Sequence, residues 1–157
     1  MNRFTIRAAM KGEWEDAMSL VWRTFQKYEA CDYSEEGVHS FLEFIASQNL
    51  YKMFLLGEYK VYLALDGDRI IGVISLRMVN HISLLFVDEE YFRQGVASAL
   101  VEHIAIVLTG QHGKEYCTVN SSPYAVGFYH RIGFKDIGVE EISDGIRYTP
   151  MRLSFVE

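Results

Sequence analysis

The sequence has little cysteine, no excess of positive charge and no long hydrophobic run, and each shortage excludes a class of protein. Its two cysteines, Cys31 and Cys117, lie far apart, so they predict neither a disulfide framework nor a metal site. The formal net charge of −6 argues against a nucleic-acid partner. No apolar run is long enough to span a membrane and the N-terminus lacks a secretory signal, so we expect a cytoplasmic protein without a membrane partner.

The remaining composition is that of one folded domain. Half of the 157 residues are hydrophobic and 23% are charged, which is ordinary for a globular chain with one core. We find no repeat, low-complexity segment or linker rich in proline, glycine or serine. A single domain over residues 1–157 is therefore predicted.

The spacing of apolar residues predicts an α/β fold with about seven strands and about four helices. The predicted strands cover residues 4–8, 61–65, 69–79, 82–87, 115–119, 134–139 and 147–155. The predicted helices cover residues 14–25, 38–45, 94–108 and 122–131. Asp32 or Ser34 is expected to cap the second helix, and Asp66-Gly67-Asp68 is typical of a hairpin turn. This order predicts a mixed, mostly antiparallel central sheet flanked by helices.

The segment 84–108 carries the chemistry that the sequence predicts. An apolar strand runs into a polar turn and then into a helix whose first turn holds Gly95, Ala97 and Ser98. Small residues let a ligand approach the backbone, and the free N–H groups of a helix start favour an anion such as a pyrophosphate. Arg93 adds positive charge. The alternative is a plain strand-turn-helix unit that uses small residues for packing. Neither a P-loop nor a dinucleotide-binding glycine pattern is present.

Two sequence blocks resemble the GNAT superfamily of acetyl-CoA-dependent N-acetyltransferases. The first is Val87-Asp88-Glu89-Glu90-Tyr91-Phe92-Arg93-Gln94-Gly95-Val96-Ala97, in which Gly95 and Ala97 match the family pattern. Phe92 replaces the usual arginine or glutamine, and Glu89 replaces a frequent proline. The second block, residues 118–134, resembles the family run Asn-x-Ser-Pro-x-Ala-x-x-Phe-Tyr-x-x-x-Gly-Phe. The resemblance covers nearly the whole chain and implies a GNAT-like sheet.

The resemblance also implies which residues bind acetyl-CoA. Its pyrophosphate would meet backbone amides at the helix start, and its pantetheine arm would pair with the preceding strand. A backbone N–H of Leu85 or Phe86 would face the acetyl carbonyl. The implied coenzyme-binding residues are Leu85, Phe86, Val87, Arg93, Gln94, Gly95, Val96, Ala97, Ser98, Asn120, Ser122 and Phe128. No metal is implied.

Tyr129 is the implied general acid, because it matches a family tyrosine whose hydroxyl lies near the coenzyme sulfur. The alternative is an aromatic side chain in a core-facing stripe with Ala125, Phe128 and Ile132. Ser122 is also expected to cap the following helix, with Pro123 in its first position. Both readings of Ser122 can hold together.

The acceptor side is expected in the loop between the first two helices. It offers Tyr28, Glu29, Asp32 and Tyr33, followed by Glu35 and Glu36. Carboxylates there could hold a cationic amine and take its proton through water, or they could form a solvated turn. His81 has a suitable pKa but fits a structural role as well. The general base stays unassigned, and a covalent route through Cys117 is not favoured.

Other readings stay open at this point. The chain could be a non-catalytic acetyl-CoA-binding sensor or an interaction module that has lost the coenzyme site, with Phe92 as the first sign. It could use another acyl donor. The acceptor, a small-molecule or protein amine, cannot be named from the sequence. An edge strand at residues 145–155 would allow a homodimer, by analogy with the family.

Overall fold

The computed structural model describes residues 3–156, which form an α/β domain with eight strands and five α-helices. The strands are β1 (Thr5–Ala8), β2 (Lys60–Asp66), β3 (Arg69–Arg77), β4 (His81–Val87), β5 (Tyr116–Ser121), β6 (Lys135–Asp136), β7 (Glu141–Ser143) and β8 (Ile146–Ser154). The helices are α1 (Trp14–Tyr28), α2 (Glu35–Ile45), α3 (Gln48–Leu55), α4 (Val96–His112) and α5 (Val126–Arg131). Across the described range, no helix has the length and apolarity that a membrane crossing requires.

The strands form one sheet in the order β1-β2-β3-β4-β5-β8-β6, with β7 paired to β8 beside this path. The β4–β5 pair is parallel and the other pairs are antiparallel. The mixed, mostly antiparallel sheet predicted from the sequence is therefore confirmed. The parallel pair joins the N-terminal and C-terminal parts of the chain at the centre of the sheet.

Both faces of the sheet are covered, which explains why β3 and β4 are mostly apolar. One face packs against α1, α2 and α3, where Phe25, Leu63 and Leu84 are buried. The other face packs against α4 and α5, where Leu100 and Tyr129 are buried. The β4–β5 pair thus lies between two helical layers.

Local signals of the sequence fix several element ends. Ser34 caps α2, since its hydroxyl accepts a hydrogen bond from the Gly37 N–H at 3.2 Å, as predicted. Ser122 likewise accepts from the Ala125 N–H at 3.3 Å. The turn between β2 and β3 places Gly67 at φ 61°, a conformation that glycine adopts easily.

Three features differ from the sequence-based expectation. Helix α3 was not anticipated; Ser47 caps it, and only Leu50 and Phe54 of its residues are buried. The strand expected at residues 134–139 is reduced to β6, and β7 follows it. The expectation of an edge strand at residues 145–155 was wrong, because β8 lies between β5 and β6 and has its backbone paired on both sides.

Candidate active site

The centre of the site is a gap between β4 and β5. These parallel strands pair at two positions, His81 with Thr118 and Ile82 with Val119. Beyond them β4 continues to Val87 and β5 to Ser121 without a further pair in the described chain. The strands therefore diverge, and their facing edges offer unused backbone donors and acceptors.

A β-bulge in β4 decides which backbone groups face this gap. Leu76 pairs with Ile82 but Ser75 pairs with Leu84, so Ser83 is an extra residue in β4. The Asp88 N–H donates to the Ile71 carbonyl at 2.8 Å, so Asp88 directs its backbone toward β3.

Along an antiparallel strand, the backbone N–H and C=O groups of successive residues point alternately to one neighbouring strand and to the other. Phe86, like Asp88, therefore directs its backbone groups toward β3, while Leu85 and Val87 direct theirs toward the gap. The sequence left Leu85 and Phe86 as equal candidates for a backbone donor in the site. The register favours Leu85.

The gap opens into a cleft of about 540 Å³. Its walls come from α1, the segment after α1, α2, β4, the end of β5, α5 and the β7–β8 hairpin. The residues that line it include Phe25, Glu29, Tyr33, Phe41, Leu85 and Tyr129. Of the residues implied for coenzyme binding, Leu85, Phe86, Asn120 and Ser122 line this cleft.

Tyr129 lies in α5 and is only 4% exposed. Its ring packs edge-on against Phe128 at 5.3 Å and Phe134 at 5.0 Å between ring centroids. Tyr129 therefore packs in the core, as the structural alternative expected, and it also lines the cleft, while its role as general acid stays a prediction. Burial is the main cause that raises its pKa, and nearby Glu29 adds to the rise, so the phenol keeps its proton at neutral pH. Phe128 supports the Tyr129 ring and is not among the cleft-lining residues.

The start of α4 presents free backbone N–H groups. Gly95 precedes the helix at φ 81°, and Arg93 also has a positive φ of 63°. Within residues 3–156, the N–H groups of Val96, Ala97 and Ser98 have no hydrogen-bond partner, as is usual for a first helical turn. A side-chain carbon at Gly95 would meet nothing within 4 Å. The turn is thus open to an approaching anion.

Ion pairs hold the turn before α4. The buried Asp88 carboxylate accepts from Arg23 at 3.1 Å and from Arg69 at 3.2 Å. Glu89 accepts from Lys27 at 2.6 Å and from the Tyr28 hydroxyl at 2.6 Å. These contacts fasten the turn to α1 and β3.

Phe92, the departure from the GNAT pattern, packs against the Tyr28 ring with 5.0 Å between centroids. Tyr28 also lies 5.7 Å from the Tyr124 ring. Tyr28, expected on the acceptor side, therefore packs against the turn before α4 and is not among the cleft-lining residues. Asp32 is likewise not among the cleft-lining residues, whereas Glu29 and Tyr33 are.

Glu29 is a buried carboxyl group, with 9% of the residue exposed. Its pKa is raised to about 7, chiefly by burial and further by Asp32, while a hydrogen bond with the Ser122 hydroxyl opposes the rise. The reading of this loop as a fully solvated turn does not hold at Glu29. Glu35 and Glu36 are exposed.

His81 lies where β4 and β5 still pair. Its Nδ1 is 2.8 Å from the Thr118 hydroxyl. Burial and the positive charge of Arg77 lower its pKa to about 4, so this imidazole is neutral and weakly basic at pH 7. The thiol of Cys117 is buried, and burial raises its pKa to about 12, which keeps it unreactive. No cluster of three or more metal-binding side chains occurs in residues 3–156.

Sequence reasoning missed the wall formed by α2 and the β7–β8 hairpin. A side-chain carbon on Gly37 would collide with the carbonyl oxygen of Gly145, so the two backbones touch. The Ser40 hydroxyl donates to the Asp144 carbonyl at 3.0 Å, and Arg147 donates to the Asp32 carbonyl at 3.2 Å. The only sequence signal was the glycine at each contact point.

Comparison with known proteins gives consistent matches. A family model described as an acetyltransferase (GNAT) domain matches residues 29–155. The uncharacterized N-acetyltransferase YafP of Escherichia coli is 28% identical over 142 residues, covering 90% of this chain and 88% of that protein. The peptidyl-lysine N-acetyltransferase YjaB of Salmonella typhimurium is 32% identical over 114 residues, covering 71% of this chain and 76% of that protein.

Solved structures share the fold over nearly the whole chain. A GCN5-related N-acetyltransferase from Rhodopseudomonas palustris superposes with a TM-score of 0.83 at 22% identity, covering 98% of this chain and 97% of that one. The PaiA N-acetyltransferase from Thermoplasma acidophilum, solved in complex with coenzyme A, superposes with a TM-score of 0.75 at 21% identity, covering 98% of this chain and 99% of that one.

Proposed function

Because the chain belongs to the GNAT family of N-acetyltransferases, we propose that it moves the acetyl group of acetyl-CoA directly to an amine, with both substrates bound in one complex. The observation that carries this proposal is the divergence of β4 from β5, which leaves the backbone of Leu85 and Val87 facing the gap between the strands, where Leu85 also lines the cleft. An extended arm with amide groups fits such an edge, because it can complete the missing ladder.

The residues present fit acetyl-CoA at both of its ends. The free N–H groups of Val96, Ala97 and Ser98 suit the negative charge of the pyrophosphate. Bound acetyl-CoA supplies an activated acetyl group as a thioester. The Leu85 N–H is our candidate for stabilising the negative charge that develops on the acetyl oxygen. Tyr129 is our candidate for returning a proton to the leaving sulfur.

The acceptor side of the cleft is consistent with an amine substrate. Glu29 contributes a buried carboxyl group there, and Phe25, Tyr33 and Phe41 contribute aromatic surface. The relative YjaB is named for action on peptidyl-lysine, which makes a lysine side chain a reasonable first acceptor to test.

Thiol release from acetyl-CoA tests the proposal. The purified protein would be mixed with acetyl-CoA and either a lysine-containing peptide or spermidine, and free coenzyme A would be measured with a thiol reagent. We expect release that depends on the amine. In parallel, acetyl-CoA at 100 times its dissociation constant should stabilise the fold by about 2.7 kcal/mol in a thermal unfolding experiment. Stabilisation without release for any amine would indicate a coenzyme-binding sensor instead.

A further inference from the structure

We propose that Glu29 is the general base of the acetyl transfer and that the acceptor is a primary alkylamine, which arrives as an ammonium ion. This inference rests on the proposed function and goes further by naming the proton acceptor and the class of amine. It starts from the position of one carboxyl group that the fold buries without a cationic partner.

The site of Glu29 is unfavourable for a carboxylate. The residue follows the last turn of α1, where the exposed carbonyl groups of the helix carry negative partial charge. Its side chain is buried, and no lysine, arginine or histidine among residues 3–156 forms an ion pair with it. A buried charge normally has a partner, so a buried carboxyl group without one indicates a functional use.

The neighbours of Glu29 do not neutralise it. The titratable side chains that interact electrostatically with it are Asp32, Tyr33, Tyr124 and Tyr129, and the charge of Arg147 acts on Tyr33. Arg147 is engaged by the Glu140 carboxylate at 3.2 Å and by the Asp32 carbonyl at 3.2 Å. The pKa of about 7 for Glu29 therefore leaves both protonation states populated near neutral pH, which a residue that takes up and releases protons requires.

Other side chains are poorer candidates for this role. Among residues 3–156, Glu29 and Asp144 are the acidic residues on the cleft wall, and Asp144 is exposed at the tip of the β7–β8 hairpin. His81 also lines the cleft, but its pKa of about 4 makes it a weak base, and it lies at the closed end of the gap. Glu29 and Tyr129 both line the cleft, and the negative charge of Glu29 contributes to the raised pKa of Tyr129.

The walls next to Glu29 suit an alkylammonium ion. The Phe25 ring stacks on Phe41 with 4.0 Å between centroids and on Tyr33 with 5.5 Å. Aromatic faces attract a desolvated cation and also contact its alkyl chain, while the carboxylate supplies the opposite charge. An arylamine, by contrast, is neutral at pH 7 and has no such proton to give up before it attacks.

The protons of the reaction then balance. The ammonium ion gives one proton to the Glu29 carboxylate, and the freed nitrogen lone pair forms the new N–C bond as the C–S bond breaks. Tyr129 protonates the leaving thiolate, and the second proton of the nitrogen returns to the Tyr129 phenolate. Glu29 finally releases its proton to solvent, so one proton leaves for each acetyl group transferred.

The experiment compares the pH dependence of kcat/KM for the wild type, Glu29→Gln and the control Glu36→Gln, which alters an exposed carboxylate of α2. The substrates are acetyl-CoA with the lysine peptide and, separately, with aniline. For the peptide we expect the wild type and the control to reach a plateau above pH 7. We expect Glu29→Gln to be about 100-fold slower at pH 7.5 and to keep rising toward the lysine pKa of about 10.4.

With aniline, the loss in Glu29→Gln should stay below about tenfold, because aniline does not need the base to become nucleophilic. Acetyl-CoA should stabilise wild type and variant equally in thermal unfolding. A plateau above pH 7 that survives in Glu29→Gln, or equal losses with both amines, would overturn the assignment while acetyl transfer stands. If the wild type releases no thiol with any amine, acetyl transfer itself fails and the assignment fails with it.

Discussion

Tyr129 and Glu29 show how single buried side chains are tuned by the groups around them. Burial is the largest cause of the raised pKa at each residue, and their mutual proximity adds to the rise at Tyr129. The same low-polarity surroundings would raise the pKa of a leaving thiolate, just as burial raises that of Cys117. A phenol that holds its proton tightly can therefore still protonate sulfur in this cleft.

Replacing Tyr129 by phenylalanine removes the hydroxyl and keeps the ring. We expect turnover with acetyl-CoA and the lysine peptide to fall by about 100-fold or more, since a positioned general acid contributes about that much. Coenzyme affinity should change little, because the ring still packs against Phe128 and Phe134. The control is Tyr62→Phe on β2, whose ring lies beside His103. Unchanged turnover in Tyr129→Phe would remove this residue from its role.

Glu29 should make the protein less stable as the pH rises. Its pKa is about 7 in the folded chain against 4.5 for the unperturbed group, so the folded state favours the protonated form. The stabilisation is complete below pH 4.5 and is lost as the pH rises through 7. At about 1.4 kcal/mol per pKa unit, the ionised side chain costs the fold about 3 kcal/mol above pH 7.

Urea unfolding at pH 5 and pH 8 measures this cost. Between pH 5 and pH 8, the free energy of unfolding of Glu29→Gln should rise by about 2 to 3 kcal/mol relative to that of the wild type, since glutamine does not ionise. Glu36→Gln, the exposed control, should follow the wild type at both. An identical pH dependence in all three proteins would mean that Glu29 is not buried as described.

Both residues were candidates from the sequence, but the sequence alone could not decide whether each is buried or catalytic. Tyr129 was assigned a catalytic role through a family motif, whereas its neighbours in the core stripe alone favoured a structural role. Glu29, Tyr28 and Asp32 looked alike in one polar loop, because burial is not visible in a single sequence. The structure separates them, with Glu29 in the cleft and Tyr28 bound to Glu89.

At the level of elements, the coenzyme site that we propose at the start of α4 is made of backbone groups alone. Its N–H groups are free because the preceding turn, with Arg93 and Gly95 in the left-handed region, directs the chain into the helix without using them. Side-chain identity therefore matters little at several positions, and Phe92 can pack on Tyr28 without closing the turn.

Gly95→Glu should abolish acetyl-CoA binding, measured by calorimetry or thermal shift. The new side chain places bulk and negative charge where the pyrophosphate is expected, and its β-carbon would meet no protein atom within 4 Å. Gly113→Glu is the matched control. Gly113 has φ 62°, is equally open and ends the same helix, so backbone strain is similar while the site is untouched. Equal binding by both variants would contradict the placement of the coenzyme.

Elements with a regular spacing of apolar residues were predicted well, and those that depend on tertiary contacts were not. Helix α4 was predicted from apolar residues at helical spacing, and strand β4 from a nearly continuous apolar run. Helix α3 escaped because its Gln48–Leu55 segment buries only Leu50 and Phe54. The bulge at Ser83 also left no sequence signal, since its cause is the register between β3 and β4.

For the whole molecule, the sequence allowed the mixed, mostly antiparallel sheet to be predicted. Its motifs also assign a coenzyme side of the site, which stays a prediction. Both depend on contiguous segments, residues 84–108 and 118–134. The acceptor wall could not be predicted, because it joins α2 to the β7–β8 hairpin across about a hundred residues of chain, through backbone contact between Gly37 and Gly145. Glycine contacts of this kind carry no pattern that a single sequence reveals.

The two-pair junction between β4 and β5 has a mechanical consequence. Across the described residues, the part of the sheet from β1 to β4 and the part from β5 to β8 are connected by two residue pairs, His81–Thr118 and Ile82–Val119. A force that pulls β4 and β5 apart should break these two pairs before the antiparallel ladders β3–β4 and β5–β8, because each of those ladders contains more residue pairs. A substrate arm hydrogen-bonded to both β4 and β5 would hold the two parts of the sheet together. The force needed to separate them should therefore increase when the substrate is bound.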